Sequence, residues 1–180
     1  MPAYVKIKCL YQNDVDLMVE LQQIILDEVK EKGKEGLFRE NTRGMFELCY
    51  LYYDEKTMEH AKRVANEAKH LCCFFKLPFS NWDNFVYQLG LAHDLYEDTN
   101  ITQDVWFDET FEKNLKLLTK EKDEDYNEYV GKIHDMAKDN PEYMPAYIVK
   151  LADFYDHFTQ ADTLTEKLKN KYVAAMPYLI

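Results

Sequence analysis

The chain has 180 residues, 22 of them basic and 33 acidic, for a net charge of −11. A chain of this length can bury about 70% of the surface it exposes when unfolded. Its 47% hydrophobic and 14% aromatic content exclude disorder as the overall state. So acidic a surface repels phosphate backbones and anionic lipid, which sets nucleic-acid and membrane binding aside. It leaves room for an anionic small substrate wherever a divalent ion inverts the local field.

The periodicity is helical nearly throughout, and the chain reads as a single all-α domain over 1–180, a bundle of about seven or eight helices. The only strand-like alternation, Val5, Ile7 and Cys9, is weak. Val15 to Val29 follow the i, i+3, i+4 rhythm after Asn13 or Asp14, and the helix stops near Gly33. A second helix spans about Asn41 to Tyr53. Thr57 is the expected cap of a third, which carries His60, Val64, Ala68 and Leu71 on one stripe and ends by Pro78. Ser80 and Asp83 resemble a capping box ahead of the apolar face Trp82, Phe85, Val86, Leu89 and Ala92. Thr102 opens a region holding Val105, Trp106, Phe111, Leu115 and Leu118. Glu121 to Asp125 read as a solvated turn, Tyr126 to Met136 as a helix, and Pro141 and Pro145 as the brackets of a loop. Tyr147 to Phe158 and Thr165 to Ala175 supply the last two helices.

No apolar run approaches the roughly 20 residues of a membrane helix, and the N-terminal Met1 to Lys6 lack a signal peptide's apolar stretch. Cys9, Cys49, Cys72 and Cys73 form no paired C-x-x-C set. They are expected to be reduced, buried thiols of a cytoplasmic protein, not zinc ligands.

The chemistry gathers at His93-Asp94, followed by Glu97 and Asp98. On a helix these four crowd one face within six residues, and three acids so placed repel unless a cation or solvent compensates. The adjacent His93 and Asp94 reach one ion together only if the helix is distorted there. His60 lies upstream on a helical stripe. Asp153 sits in the apolar run Ile148-Val149-Lys150-Leu151-Ala152-Asp153, where an aspartate is rarely tolerated unless paired, capping or bound to metal. His60, His93, Asp94 and Asp153 together make a nitrogen and oxygen donor set suited to Mn²⁺, Fe²⁺, Ni²⁺ or Zn²⁺.

The order His60, His93-Asp94, Asp153 resembles the H…HD…D pattern of the HD-domain metal-dependent phosphohydrolases. Leu91-Ala92-His93-Asp94-Leu95-Tyr96-Glu97-Asp98-Thr99 resembles the HDxxEDT segment of the (p)ppGpp hydrolases, the RelA/SpoT-type alarmone enzymes. His60 to Ala65, Leu117-Leu118-Thr119-Lys120 and Ile148 to Asp153 are similar to further segments of that group, so the similarity covers about 42–160. The resemblance implies a stand-alone HD-type hydrolase domain in which His60, His93, Asp94 and Asp153 bind one divalent ion, usually manganese. It implies Glu97 and Asp98 as the catalytic acid pair and a phosphorylated nucleotide as substrate. Lys62, Arg63 and Lys150 lie near the ligands in sequence and are candidates to hold its phosphate, with Arg43 a weaker one.

Two regions depart from the pattern. Tyr52 to Glu59 lack the Arg/Gly-rich stretch and Pro-Tyr that precede the first histidine in the family, and Asp156-His157 stand where it has His-Asn. Both regions help hold the nucleotide in the relatives, so the metal chemistry carries over better than the guanosine specificity. Three readings stand: a (p)ppGpp 3'-pyrophosphohydrolase-like enzyme, an HD-family nucleotidase releasing orthophosphate, and a non-catalytic helical module. The sequence leaves the oligomeric state open.

Overall fold

The computed structural model describes residues 45–75, 82–99, 101, 107–160 and 164–180. All regular structure among them is helical, with no strand. The α-helices are α1 (Met45–Tyr52), α2 (Glu55–Leu71), α3 (Trp82–Ala92), the single turn α4 (Leu95–Asp98), α5 (Glu109–Leu118), α6 (Tyr126–Asp139), α7 (Met144–Thr159) and α8 (Glu166–Leu179). Leu48–Ile180 form one compact unit. No helix among the described residues is long and apolar enough to cross a membrane. The expected strand at Val5 to Cys9, the helix at 13–33, Ser80 of the proposed capping box and Thr102 to Trp106 lie outside the described residues.

Short polar side chains start the helices by accepting amide protons that have no partner within the helix. Asp54 accepts from Thr57 N at 2.8 Å, Asp125 from Asn127 and Glu128, and Thr165 from Leu168. The cap of α2 is therefore Asp54; Thr57, the expected cap, sits inside the first turn as the donor. Pro141 and Pro145 do not bracket a loop. Pro141–Tyr143 is a 3-10 turn that runs directly into α7, and Pro145 occupies the first turn of α7, where a missing N–H costs no intrahelical bond. The last helix continues past the expected Ala175 to Leu179, through Pro177.

The core is built on α2, α3 and α7, which pack against one another pairwise, while α8 packs mainly on α6. Small residues let α2 and α3 approach closely: Ala61, Ala65 and Ala68 are fully buried, and a Cβ added to Gly90 would lie 2.7 Å from the Ala65 Cα. The buried Asn114 ties α5 to the start of α7, donating to Thr110 O and Glu142 O and accepting from Ala146 N. Of the expected buried thiols, Cys49 is buried and donates to Leu91 O, whereas Cys73 is exposed and Cys72 half-buried. Both fall in the 3-10 turn Cys72–Phe74, which leaves the buried stripe of α2. Cys9 lies outside the described residues.

Candidate metal centre

The three mutually packed helices each bring one donor segment to the same place. His60, half-buried, comes from α2 beside its buried stripe, His93-Asp94 from the end of α3, and Asp153 from the middle of α7. The helix breaks at His93-Asp94: α3 ends at Ala92, and Asp94, with φ −96° and ψ 5°, caps α4. The helix is thus interrupted between 92 and 95, and Asp94, which stands outside the three-residue group of mutually close donors, approaches it only through the two imidazoles.

One ligand atom each of His60, His93 and Asp153 lies within 4.8 Å of the other two, a group able to hold a metal ion. His93 Nε2 is 3.1 Å from Asp94 Oδ2 and 4.0 Å from Asp153 Oδ1. His60 Nε2 is 3.4 Å from Asp153 Oδ1 and 3.7 Å from Asp94 Oδ2. Each imidazole is held from behind: His93 Nδ1 donates to Gly90 O at 2.8 Å, and His60 Nδ1 donates to Asp156 Oδ2 at 2.8 Å. Once Nε2 is deprotonated, a proton fixed on Nδ1 leaves the Nε2 lone pair to face the centre, the arrangement of metal-binding histidines.

The fit to a cation rests on atoms that the fold leaves without a hydrogen bond. Buried polar atoms are almost always hydrogen-bonded. Among the described residues three buried side-chain atoms are not, and two of them, His93 Nε2 and Asp153 Oδ1, face each other across this centre. Nitrogen and oxygen donors with no thiolate suit a catalytic divalent ion better than a structural zinc.

Electrostatics follow the same geometry. In the metal-free chain burial disfavours a charged His93, but Asp94 and Asp153 outweigh it and raise its pKa to about 9. Burial likewise opposes charge on His60, and Asp153 and Asp94 lift it. Burial would raise Asp153, yet Lys150, His157 and His60 hold it well below the carboxylate range. Glu97 and Asp98 lie on the solvent side of α4. Partial enclosure, and then the neighbouring Asp94 charge, raise both above their usual range. Glu97 Oε1 accepts the Lys120 backbone N–H at 2.5 Å.

The three candidate phosphate-binding cations are each engaged by a carboxylate. Lys62 pairs with Glu59 at 2.8 Å. Arg63 forks onto Asp156, Nε to Oδ1 at 2.7 Å and Nη2 to Oδ2 at 3.0 Å. Lys150 is buried against Asp153 Oδ2 at 2.8 Å, with the Tyr129 ring 5.1 Å away. Arg43 lies outside the described residues. Residues that the sequence did not mark as site candidates also belong here. Asp156 orients His60, His157 Nε2 stands 3.2 Å from Asp153 Oδ1, and the buried hydroxyl of Tyr53 feels Asp94 and Asp98 without a hydrogen-bond partner. The i, i+3 and i, i+4 spacing of Asp156 and His157 from Asp153 was the signal available for two of them.

No protein-family model matches the chain, and no curated protein does.

Proposed function

We propose that the protein is a metal-dependent phosphohydrolase of the HD-domain kind, acting on a phosphate or pyrophosphate ester of a nucleotide, with (p)ppGpp 3'-pyrophosphohydrolase-like activity as the leading case. The observation that carries this reading is the meeting of His60 Nε2, His93 Nε2 and Asp153 Oδ1 around one point, with the acid pair Glu97-Asp98 one turn beyond Asp94. His60, His93, Asp94 and Asp153 would hold the ion, with Mn²⁺ expected first and Fe²⁺, Ni²⁺ or Zn²⁺ as alternatives. When bound, a divalent ion supplies Lewis acidity and makes water nucleophilic near neutral pH.

The remaining work falls to side chains. Glu97 is fixed through Oε1 by the Lys120 amide, so its other oxygen is the one free to move a proton. Its raised pKa, and that of Asp98, suit a group that gives a proton to a leaving oxygen or takes one from water. Lys62, Arg63 and Lys150 remain the proposed contacts for substrate phosphate. The engagement of Arg63 by Asp156 and of Lys150 by Asp153 favours the second reading, a nucleotidase releasing orthophosphate, because a substrate phosphate would have to draw each cation from its carboxylate, and one phosphate group demands fewer such exchanges than two.

The products separate the two. With Mn²⁺ present, pyrophosphate release from the guanosine alarmone supports the first, and orthophosphate release from nucleoside monophosphates the second. Asp94→Ala should abolish either activity; undiminished turnover by that variant overturns both.

A further inference from the structure

Three of the chain's five histidines, not two, face the same carboxylate oxygen. Asp153 Oδ1 has His157 Nε2 at 3.2 Å, His60 Nε2 at 3.4 Å and His93 Nε2 at 4.0 Å. None of these approaches has hydrogen-bond geometry, and the oxygen is buried without a partner. The other carboxylate oxygen, Oδ2, is held by Lys150. Asp153 is thus oriented by one oxygen and bare at the other, with three ring nitrogens around the bare one.

His157 reaches this place by design of α7 and α8 together. It follows Asp153 by four residues, which puts both on one face of α7. Its ring stacks on Tyr172 of α8, with centroids 4.5 Å apart at 21°, and meets the His60 ring on another side at 5.0 Å. Tyr172 is itself buried and packs edge-on against Tyr126 and Phe154. A histidine on a solvated helix face has no such clamp.

We propose that His157 Nε2 is a further protein donor to the ion, making the centre one of three imidazoles and two carboxylates: His60, His93 and His157 with Asp94 and Asp153. The inference rests on the reading of this place as a metal centre and extends it. A third neutral nitrogen adds donor strength without adding negative charge. It moves the preference of the site towards ions that favour imidazole, Co²⁺, Ni²⁺ and Zn²⁺ or Fe²⁺, and away from the oxygen-seeking end of the series where Mn²⁺ lies.

Ligand counting tests it directly, using the full chain loaded with Co²⁺ and X-ray absorption at the cobalt edge. The expected result is three imidazoles in the unaltered chain and two in His157→Phe, which keeps a ring against Tyr172, together with a fall in Co²⁺ affinity of about tenfold or more. His157→Asn guards against a purely structural role, since it keeps a polar group on this face of α7 without an imidazole. Two imidazoles in both the unaltered chain and His157→Phe, with affinity restored by His157→Asn, would overturn the inference and leave the metal centre standing. No Co²⁺ bound by the unaltered chain would overturn the centre and this inference with it.

Discussion

His60 and Asp156 form a donor–acceptor pair that points His60 at the candidate metal centre. Nδ1 donates to Asp156 Oδ2 at 2.8 Å, and Arg63 grips the same carboxylate through two nitrogens. Burial opposes the charge on Asp156, but Arg63 and His60 hold it below its usual range. The chain of contacts Arg63, Asp156, His60 fixes the ring tautomer and leaves Nε2 to bind. Asp156→Asn should weaken divalent-metal affinity by about 10- to 100-fold, the usual cost of losing such an orienting partner. Metal titration followed by calorimetry checks it.

Glu97 touches none of the donor atoms, so its removal should separate chemistry from binding. Glu97→Gln is expected to keep the ion and lower turnover by about 10²- to 10⁴-fold, the range of general acid–base contributions. Metal content and rate measured on one preparation decide the matter. A variant that loses the ion would make Glu97 a ligand.

A bound metal ion would compete with the proton for His93. Its pKa in the metal-free chain is raised from 6.5 to about 9, so the ring is charged at neutral pH and must lose a proton to bind. Affinity should therefore rise about tenfold per pH unit from pH 6.5 towards 9 and then level off. Calorimetry in buffers of different ionisation enthalpy should show proton release. The same group sets a stability trend in the metal-free chain. A raised folded pKa gives a contribution that is complete below 6.5 and lost as pH rises through about 9. Asp153 and Asp156, held low, contribute in the opposite sense, above the usual carboxylate range, and lose that contribution in acid.

Gly90 couples the packing to the site. A methyl there meets backbone, the Ala65 Cα at 2.7 Å, so α2 and α3 would have to part. Gly90→Ala should destabilise the fold by about 1–3 kcal/mol. It should also weaken metal binding, because His93 is held by the Gly90 carbonyl and His60 rides on α2. Thermal denaturation and metal titration of the variant check the two effects.

Two of the three grouped candidates were legible because they are chemically out of place, Asp153 in an apolar helix and His93 beside a run of acids, whereas His60 lies on an ordinary helical stripe and stood out only through the family resemblance. The helical periods were strong for the same reason that α2, α3 and α7 pack, since each presents a continuous apolar face. What the sequence hid depends on three-dimensional partners. Asp156 and His157 looked like a departure from a family pattern until α2 brought His60 against one and α8 brought Tyr172 against the other. Lys150 and Arg63 looked like free cations until the fold set Asp153 and Asp156 beside them. Pro141 and Pro145 suggested a loop, because proline marks both turns and the first turn of a helix; the buried Asn114, bonded across to Glu142 O and Ala146 N, fixes which.

The central claim is the convergence of His60, His93, Asp94 and Asp153 on one ion, and metal stoichiometry tests it most directly. Equilibrium dialysis of the full chain against Mn²⁺, Co²⁺ or Zn²⁺ should leave one ion per chain, and Asp94→Asn should leave far less at the same free concentration. An unaltered chain that retains no ion, or an Asp94→Asn chain that retains as much, would contradict the account.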